Sequence, residues 1–355
     1  MSKLPGIGKI SAEAFRELIF PHLGASRPEI LVGPQHGVDV GIVRIGNKAV
    51  AMTSDPVFIV PEYGFDKAAW FATHILASDV VTSGLPPAYL AIDLNLPLSM
   101  TEEELTTVWN TIDAECKKME MAIVCGHTAR YENCHYPMVG GATVLAVGDI
   151  DSYVSPRFAK KGDQLIITKG PAIEAAGIFA TMFPTYIARQ CGEDFANTAQ
   201  DLFYKMSVVH DALTAVKIGV RDDGVSAMHD ATECGIWGGI YEMAEAAGVG
   251  VRIDKSRIVT DERACRICDL FMIDPYKSIS EGTLIITCRE HKAGDLLRIL
   301  AENDVTASIV GELTASERGM ILVEDGKEKK LEHPEVDPFW HAFYDALRHY
   351  KDMES

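Results

Sequence analysis

Three aspartates in the first quarter of the chain stand inside or at the end of otherwise apolar segments, where a carboxylate can enter a site. They are Asp39 in HGVDVG (36–41), Asp55 in TSDPV (53–57) and Asp79 in ILASDVVTSGLPP (75–87). Asp79 is the most unusual, because a charged residue among apolar helix neighbours is rarely buried without a partner. Singly, each has an ordinary explanation as a turn residue, a strand cap or a solvent-facing position. Their recurrence favours a shared site.

A fourth polar stretch, CGHTAR (125–130), follows the apolar run MAIV. The pattern predicts a strand that ends in Gly126, His127 and Thr128. Glycine allows a close backbone approach, and histidine and threonine carry polar atoms that can bind a ligand. Three interpretations fit these residues alone: a simple turn, a metal ligand, or a loop that faces a phosphate.

The elements that must position these residues mix helices and strands in both halves of the chain. In the first half the patterns predict helices at 11–23, 66–84 and 101–119, and strands at 48–57, 88–97, 121–125 and 138–148. In the second half they predict strands at 164–168, 282–288, 306–313 and 319–324, and helices at 171–183 and 291–304. A turn-rich connection at 151–162 separates the halves. We therefore predict two α/β or α+β domains, 1–155 and 156–355, with sheets covered by helices.

The predicted helix at 101–119 carries the clearest local signals. Thr101 and Glu104 have the spacing of a capping box, in which each side chain bonds to the other residue's backbone N–H. Its predicted buried stripe consists of Leu105, Val108, Trp109, Ile112 and Cys116.

Composition excludes several classes of function. The formal net charge is −18, from 33 basic and 51 acidic side chains. Such a surface argues against non-specific nucleic-acid binding, which depends on neutralising phosphates. We see no signal peptide and no apolar run of membrane-spanning length, so we expect a cytoplasmic protein without a membrane partner.

The CxxC pair Cys265 and Cys268 lacks a matching second pair, and we interpret it as two small core residues of a helix.

The common phosphate-binding loops are absent. GIVRIGNK (41–48) has glycines spaced as in a P-loop, but Asn47 stands where the lysine belongs, which favours a turn between two strands. GIGK near the start lacks the third glycine of a dinucleotide fingerprint. A protein with this sequence that handles ATP does so without those loops.

The motifs in order resemble the AIR synthase (PurM-like) superfamily. The similarity rests on G-x-D, T-S-D-P, A-S-D-x-x-x-x-G-x-x-P, G-H-T, H-D-A-T-E-C-G and I-S-E-G-T-L, and spans residues 30–325. Within the superfamily the chain is most similar to the hydrogenase maturation protein HypE. The resemblance implies a two-domain fold whose N-terminal mixed sheets pair across a homodimer to form a barrel. It also implies a C-terminal sheet covered by helices and an ATP site near the dimer interface.

In such proteins carboxylates hold Mg²⁺ against the phosphates of ATP. Carried over by motif, these are Asp39, Asp55 and Asp79, and Asp55 is also implied in catalysis. The chemistry agrees, since Mg²⁺ prefers oxygen ligands and binds through a few carboxylates plus substrate phosphates. Charge neutralisation and positioning of the γ-phosphate are most of what phosphoryl transfer requires.

The resemblance also gives CGHTAR a role. Gly126, His127 and Thr128 align with the family's Gly-Asp-Thr or Gly-Glu-Thr, so His127 replaces an acid. Imidazole is a poor ligand for Mg²⁺. Either one metal site is weakened, or His127 contacts a phosphate or the substrate directly. Gly126 and Thr128 are implied in binding the nucleotide.

In the second half the family's small-residue turn is matched by MHDATECG. The resemblance implies that four residues bind the cofactor: His229, Asp230, Thr232 and Gly235. Gly235 lies near the expected start of a helix, where N–H groups favour anions. Glu281, in SISEGT, is a weaker candidate for catalysis.

Two departures limit the assignment of an activity. HypE ends in a cysteine that carries the carbamoyl group, whereas this sequence ends YKDMES. Selenophosphate synthetase uses a reactive residue in an N-terminal loop, and here no cysteine precedes Cys116. The first hypothesis is an ATP-dependent enzyme that phosphorylates an amide or carbonyl oxygen of a small substrate. The alternatives are a non-catalytic nucleotide-binding partner in a metalloenzyme maturation complex, and a kinase that resembles thiamine-monophosphate kinase.

Overall fold

The structure is a computed structural model, and it describes residues 9–354. Its strands form two sheets. The first sheet has six strands in the order β1-β2-β3-β6-β4-β5. These are β1 (Ile30–Val32), β2 (Gly41–Ile45), β3 (Lys48–Phe58), β4 (Pro87–Leu96), β5 (Ala122–Arg130) and β6 (Met138–Asp149). It is a mixed sheet, since β4 and β5 are parallel while the other neighbours are antiparallel.

The second sheet has seven strands in the order β13-β12-β9-β11-β7-β10-β8. These are β7 (Gln164–Thr168), β8 (Val225–Asp230), β9 (Gly250–Asp254), β10 (Leu284–Cys288), β11 (Ala307–Thr314), β12 (Met320–Glu324) and β13 (Lys327–Lys330). Its central strands are buried on both faces, which explains their continuous apolar runs.

The helices are distributed over both halves. They are α1 (Ala12–Ala14), α2 (Phe65–Val81), α3 (Glu102–Lys118), α4 (Ile173–Met182), α5 (Pro184–Cys191), α6 (Glu193–Ala199), α7 (Val209–Ala215), α8 (Gly235–Ala247), α9 (Glu262–Leu270), α10 (Ala293–Glu302) and α11 (Pro338–Tyr350). In residues 9–354, no helix is both long and apolar enough to cross a bilayer.

The mixed α/β organisation in two sheets is confirmed. The predicted boundary at 155/156 falls between the end of β6 and the start of β7, and it stays a prediction. The predicted barrel would need a second copy of the chain, since the strands of the described residues form two open sheets.

Helix α3 shows how local sequence fixes an element. Its capping box is present: Glu104 donates its backbone N–H to Thr101 Oγ1 at 3.2 Å, and the Thr101 N–H donates to Glu104 Oε2 at 2.7 Å. The predicted buried stripe was wrong at Trp109, which is 36% exposed. Because Val108 and Ile112 define the buried face, the next residue along the helix turns about 100° away from it.

The helix predicted at 11–23 was also wrong in its extent. Only α1 is α-helical, and it continues as a π-helical turn, Phe15–Ile19, and a 3₁₀ turn, Phe20–His22. Pro21 lies in the last turn, where its ring is incompatible with a continuing α-helix. The interpretation of the CxxC pair fits the fold, since Cys268 is fully buried in α9 and Cys265 is half-buried.

Helix α2 ties the two halves together. Its Ser78 Oγ accepts the backbone N–H of Val208 at 3.0 Å, and His74 Nδ1 lies 2.8 Å from Ser207 Oγ. Most of α2 is buried, as expected for an apolar helix enclosed by protein on all sides. The last turn of α2, which carries Asp79, therefore lies at the junction between the halves.

Candidate active site

The carboxylates of the first half meet where β3 faces the end of α2. The carboxyl groups of Asp55 and Asp79 lie within interaction distance of each other. Thr53, two residues before Asp55 and so on the same face of β3, donates its hydroxyl to Asp79 Oδ2 at 2.9 Å. Asp55 and Asp79 therefore lie together in the fold, where Asp79 is half-buried, and their role in binding a metal stays a prediction.

Asp39 joins this site from the loop before β2. Its Oδ2 lies 2.7 Å from His229 Nδ1, at the end of β8. The loop approaches α8 so closely that a Cβ on Gly37 would lie 2.6 Å from the carbonyl oxygen of Glu242. Gly37 also has φ +74°, which favours glycine. This contact carries a carboxylate of the first half onto the second.

Asp230 follows His229 and is 1% exposed. Ligand atoms of Asp39, His229 and Asp230 all lie within 4.8 Å of one another, a spacing at which one cation can be bound. Asp230 Oδ2 is buried without a hydrogen-bond partner among the described residues. Such an orphaned carboxylate oxygen is costly unless a cation or a ligand group completes it.

Glu281 lies against Asp230, close enough for each carboxyl group to affect the pKa of the other. Glu281 is 1% exposed, and its backbone N–H donates to Glu174 Oε2 of α4 at 3.0 Å. Its own Oε2 has no hydrogen-bond partner within residues 9–354. Carboxyl groups from β3, α2, β8 and α4 therefore lie together at the junction.

Thr232 and Gly235 lie at the turn from β8 into α8. Thr232 Oγ1 accepts from the ammonium group of Lys9 at 3.1 Å, and the Lys9 backbone N–H donates to Glu233 at 3.2 Å. Gly235 has φ +60°, and a Cβ there would lie 2.6 Å from the carbonyl oxygen of Ser278. Close packing by itself therefore requires a glycine at position 235.

The electrostatics of the cluster show an excess of negative charge. Burial, followed by the charges of Asp230 and Asp55, raises the pKa of Asp79 well above its usual range. Burial and the charge of Asp39 raise the pKa of Asp230 to about 7, and burial raises that of Glu174 to about 8. Carboxyl groups that repel one another in this way can together bind a divalent cation that prefers oxygen ligands. The residues present therefore fit Mg²⁺.

The ammonium group of Lys9 partly balances the negative charge of the acidic cluster. Lys9 is an exposed residue, and partial desolvation of its ammonium group lowers its pKa. The nearby charges of Asp79 and Glu242, with those of Glu233 and Asp39, outweigh that effect and raise the pKa above its ordinary value. The ammonium group therefore stays charged against the cluster.

The three residues of CGHTAR lie apart from this cluster within one chain. Gly126, His127 and Thr128 are in β5, an exposed edge strand. The strand partners of Gly126 lead back across β4 and β6 to Asp55, a separation of three strand spacings, or about 14 Å. His127 Nε2 lies 3.0 Å from the hydroxyl of Tyr131. A Cβ on Gly126 would lie 2.2 Å from the carbonyl oxygen of Ile92, so strand packing by itself requires this glycine.

Sequence reasoning missed Lys9, Glu174 and Glu242 as parts of the site. Lys9 had a signal in GIGK, but the missing third glycine set it aside. Glu174 and Glu242 lie within helical patterns where an acidic residue is expected to face solvent. Only the packing of α4 and α8 against the junction reveals them.

The chain belongs to the AIR synthase related family. The N-terminal domain of AIR synthase related proteins matches residues 37–148, and their C-terminal domain matches residues 160–324. Together the two matches cover more than half of the chain. Each match contains one of the two sheets nearly whole.

Two curated relatives illustrate the range of activities in this family. Carbamoyl dehydratase HypE of Escherichia coli is 24% identical over 289 residues, which are 80% of this chain and 80% of the relative. Selenide, water dikinase of Carboxydothermus hydrogenoformans is 25% identical over 350 residues, covering 89% of this chain and 95% of the relative.

Solved structures share the fold at low identity. A HypE–HypF complex matches 84% of this chain and 93% of the solved chain, with a TM-score of 0.66 and 19% identity. AaThiL complexed with AMPPCP and TMP matches 83% and 89%, with a TM-score of 0.65 and 18% identity. HypE in complex with ATP matches 94% and 97%, with a TM-score of 0.62 and 20% identity.

Proposed function

We propose that this protein is an ATP-dependent enzyme that phosphorylates an amide or carbonyl oxygen of a small substrate. The observation that carries the proposal is the meeting of Asp39, Asp55 and Asp79 of the first half with Asp230 of the second. A HypE has been solved with ATP and a ThiL with AMPPCP, and a relative is a carbamoyl dehydratase. Phosphorylation turns such an oxygen into a leaving group for dehydration or replacement.

Asp39, Asp55 and Asp79 are the residues that would hold Mg²⁺. The ion would supply charge neutralisation for the phosphates of ATP. The pairing of Asp55 with Asp79, and the anchoring of Asp39 by His229, fix the carboxylates before a ligand arrives. Rigid placement of this kind lowers the cost of orienting a phosphate in the transition state.

The second half would contact the nucleotide and the substrate. His229, Asp230, Thr232 and Gly235 line the turn into α8, whose N-terminus favours anions. Glu281 is the candidate for proton transfer to or from the substrate, because burial and neighbouring carboxylates raise its pKa well above the usual range. Lys9 adds a positive charge beside Thr232.

Homodimerisation is part of the proposal, and the first sheet supports it. One face of that sheet and its edge strand β5 are uncovered. Large apolar side chains there are more than two-fifths exposed: Tyr89, Val124, Tyr131 and Met138. Uncovered apolar surface and an unpaired edge strand are typical of an association site. A second copy would also offer His127 and Thr128 a route to the nucleotide that one chain does not provide.

The proposed activity is tested by ADP formation from ATP and Mg²⁺ in the presence of candidate amides, phosphate esters and aminoimidazole precursors. The wild type should release ADP with at least one of them. Asp55→Asn should not, because it removes a metal-binding charge. Asp149→Asn, at the far end of the same sheet, is the matched control and should behave like the wild type. Equal turnover by Asp55→Asn and the wild type would refute the metal assignment.

The second candidate function is a nucleotide-binding partner without turnover in a maturation complex. Two observations favour it: HypE has been solved bound to HypF, and His127 contacts Tyr131 rather than the acidic cluster. Calorimetry of ATP with Mg²⁺ separates the two candidates. Binding with no ADP release for any substrate supports the partner, whereas release supports the enzyme. A kinase of the ThiL type would instead transfer phosphate to a phosphate ester.

A further inference from the structure

A histidine cluster lies beside the acidic site, on the far side of His229. The cluster is formed by His36, His229 and His333 around the single carboxylate of Glu242. His229 Nε2 lies 3.3 Å from Glu242 Oε2, His333 Nε2 lies 3.0 Å from Oε1, and His36 Nε2 lies 3.8 Å from Oε1. All three rings turn the same nitrogen, Nε2, toward one carboxylate.

The other nitrogen of two rings is already engaged by an oxygen acceptor. His229 Nδ1 faces Asp39 Oδ2 at 2.7 Å, and His333 Nδ1 faces the carbonyl oxygen of Pro334 at 2.6 Å. A carboxylate or carbonyl at Nδ1 fixes the proton there and leaves Nε2 as the ligand atom. Metal-binding histidines in proteins are almost always held in this way.

The cluster lacks positive charge at the Nε2 atoms of two of its histidines. In His229 and His333 both nitrogens face oxygens that can only accept, so each Nε2 needs either a proton or a cation. His36 Nδ1 is buried with no hydrogen-bond partner within the described chain. A divalent ion carries the same charge as the two protons it would replace at His229 and His333.

We propose that His36, His229, His333 and Glu242 bind a divalent transition metal of the zinc class, distinct from the proposed Mg²⁺ site. Imidazole nitrogen with one carboxylate suits zinc and its neighbours in the first transition row, whereas Mg²⁺ selects oxygen. Zinc ligands lie 2.0–2.2 Å from the ion, which sets neighbouring ligand atoms about 3.3 Å apart in a tetrahedron. The three N···O distances, 3.0–3.8 Å, bracket that value. The histidine nitrogens stand farther apart, since among the described residues the set whose ligand atoms all lie within 4.8 Å of one another is Asp39, His229 and Asp230.

The surroundings leave room for the rings to close on an ion. His229 and His333 contact different oxygens of Glu242, so binding requires a side-chain rotation. The side chains of His36, His333 and Glu242 are 29%, 28% and 20% exposed, which gives them freedom and gives the ion a path of entry.

A glycine of α8 lets the His229 ring pack closely beside Glu242. A Cβ on Gly239 would lie 2.7 Å from Ile285 Cδ1 and 3.2 Å from His229 Cδ2. Gly239 lies within one turn of Glu242 along the same helix.

Metal titration of the full-length, chelator-treated protein tests the proposal. We expect one equivalent of Zn²⁺ by equilibrium dialysis and mass spectrometry, with affinity at least tenfold weaker in Glu242→Gln and in His36→Ala. His36→Ala is the gentler variant, because that ring is partly exposed and its Nδ1 makes no hydrogen bond. His349→Ala, on exposed α11, is the matched control, and Asp55→Asn should retain the metal.

Cobalt substitution distinguishes this cluster from the chain's free cysteines. A Co²⁺ spectrum with d–d bands and no thiolate charge-transfer band supports nitrogen and oxygen ligands. A thiolate band would overturn the proposal, as would zinc binding that is unchanged in His36→Ala and Glu242→Gln. Failure of Zn²⁺ to bind the wild type would overturn it as well. Loss of binding in Asp55→Asn would show that the ion occupies the proposed Mg²⁺ site instead.

Discussion

The carboxyl groups of Asp230 and Glu281 lie against each other at the buried end of β8. Two ionised carboxylates in such contact repel each other, which favours a proton on one of the pair. Each group also keeps an oxygen that has no partner among residues 9–354. The pair can therefore exchange a proton with a ligand and accept a hydrogen bond from it.

The first prediction concerns Glu281. Glu281→Gln keeps the size and neutrality of the protonated acid, so we expect a melting temperature close to that of the wild type. ADP formation with a competent substrate should fall roughly 10²-fold or more, the usual loss for a group that transfers a proton. Glu290→Gln, exposed beyond β10, is the control. Full activity in Glu281→Gln would remove Glu281 from the chemistry.

The second prediction concerns pH. Burial and Asp39 raise the pKa of Asp230 from 3.8 to about 7, and burial raises that of Glu174 from 4.5 to about 8. The folded state therefore holds more protons than the unfolded state between those values, and stability falls as pH rises. Burial opposes protonation of His229, whereas the charge of Asp39 favours it, and the pKa of His229 is raised overall. The stabilisation that comes from protonated His229 is therefore also lost as pH rises.

Thermal melts in a chelator should show this as a decline from pH 5 to pH 8. A pKa that rises from 3.8 to about 7 corresponds to ~4 kcal/mol for an isolated group, which is an upper bound for the coupled pair. Asp230→Asn cannot titrate and should flatten the profile, and Mg²⁺ should lessen the decline in the wild type. A melting temperature that increases over this range would contradict the assignment.

The third prediction separates stability from binding at Asp79. Asp79→Asn removes a buried charge that is repelled by Asp230 and Asp55, so the metal-free protein should melt several degrees higher. The same change should weaken ATP binding in the presence of Mg²⁺ by at least tenfold in calorimetry. Asp113→Asn, on the exposed face of α3, should alter neither property appreciably. A destabilised Asp79→Asn protein would mean that the hydrogen bond from Thr53 to the carboxylate stabilises the fold more than the repulsion destabilises it.

Much of the candidate site could be predicted from the sequence. The remainder could not, and the reasons are physical. The motifs located Asp39, Asp55 and Asp79 because polar residues inside apolar segments stand out in a sequence. Glu242 did not stand out, since an acidic residue in an amphipathic helix is the rule. Its role comes from the loop at Gly37 packing on α8, a contact between residues some two hundred positions apart. Such long-range packing leaves no local pattern.

The fold prediction succeeded and failed for similar physical reasons. The capping box and the buried face of α3 depend on neighbours three or four positions apart, so they were predicted, apart from Trp109. The helix at 11–23 has an apolar pattern, but Leu18 and Leu23 have no core residues to cover them and stay exposed. Periodicity indicates that a helix could bury a face, and only the fold determines whether a surface is available for it.

The fourth prediction concerns Lys9. Its ammonium group donates to Thr232 and is attracted by Asp79 and Glu242. Lys9→Ala should increase the affinity for free Mg²⁺ several-fold, because it removes a competing positive charge from the cluster. It should decrease the affinity for ATP, because a cation near the phosphates is lost. Lys9→Arg should keep the ATP affinity closer to the wild type. Parallel changes in both affinities would contradict a direct role at the phosphates.

The fifth prediction concerns His127, at which the family motif implies an acid. If a second copy places β5 at the nucleotide, His127→Asp adds a carboxylate to the site and should increase the number of Mg²⁺ ions bound per chain with ATP. If β5 instead stays a free edge strand, with His127 Nε2 3.0 Å from the hydroxyl of Tyr131, the number of Mg²⁺ ions bound per chain should not change. Light scattering at micromolar concentration checks the copy number at the same time. A monomer with an unchanged metal count would exclude β5 from the site, whereas a dimer with an added ion would place His127 opposite the aspartates of its partner.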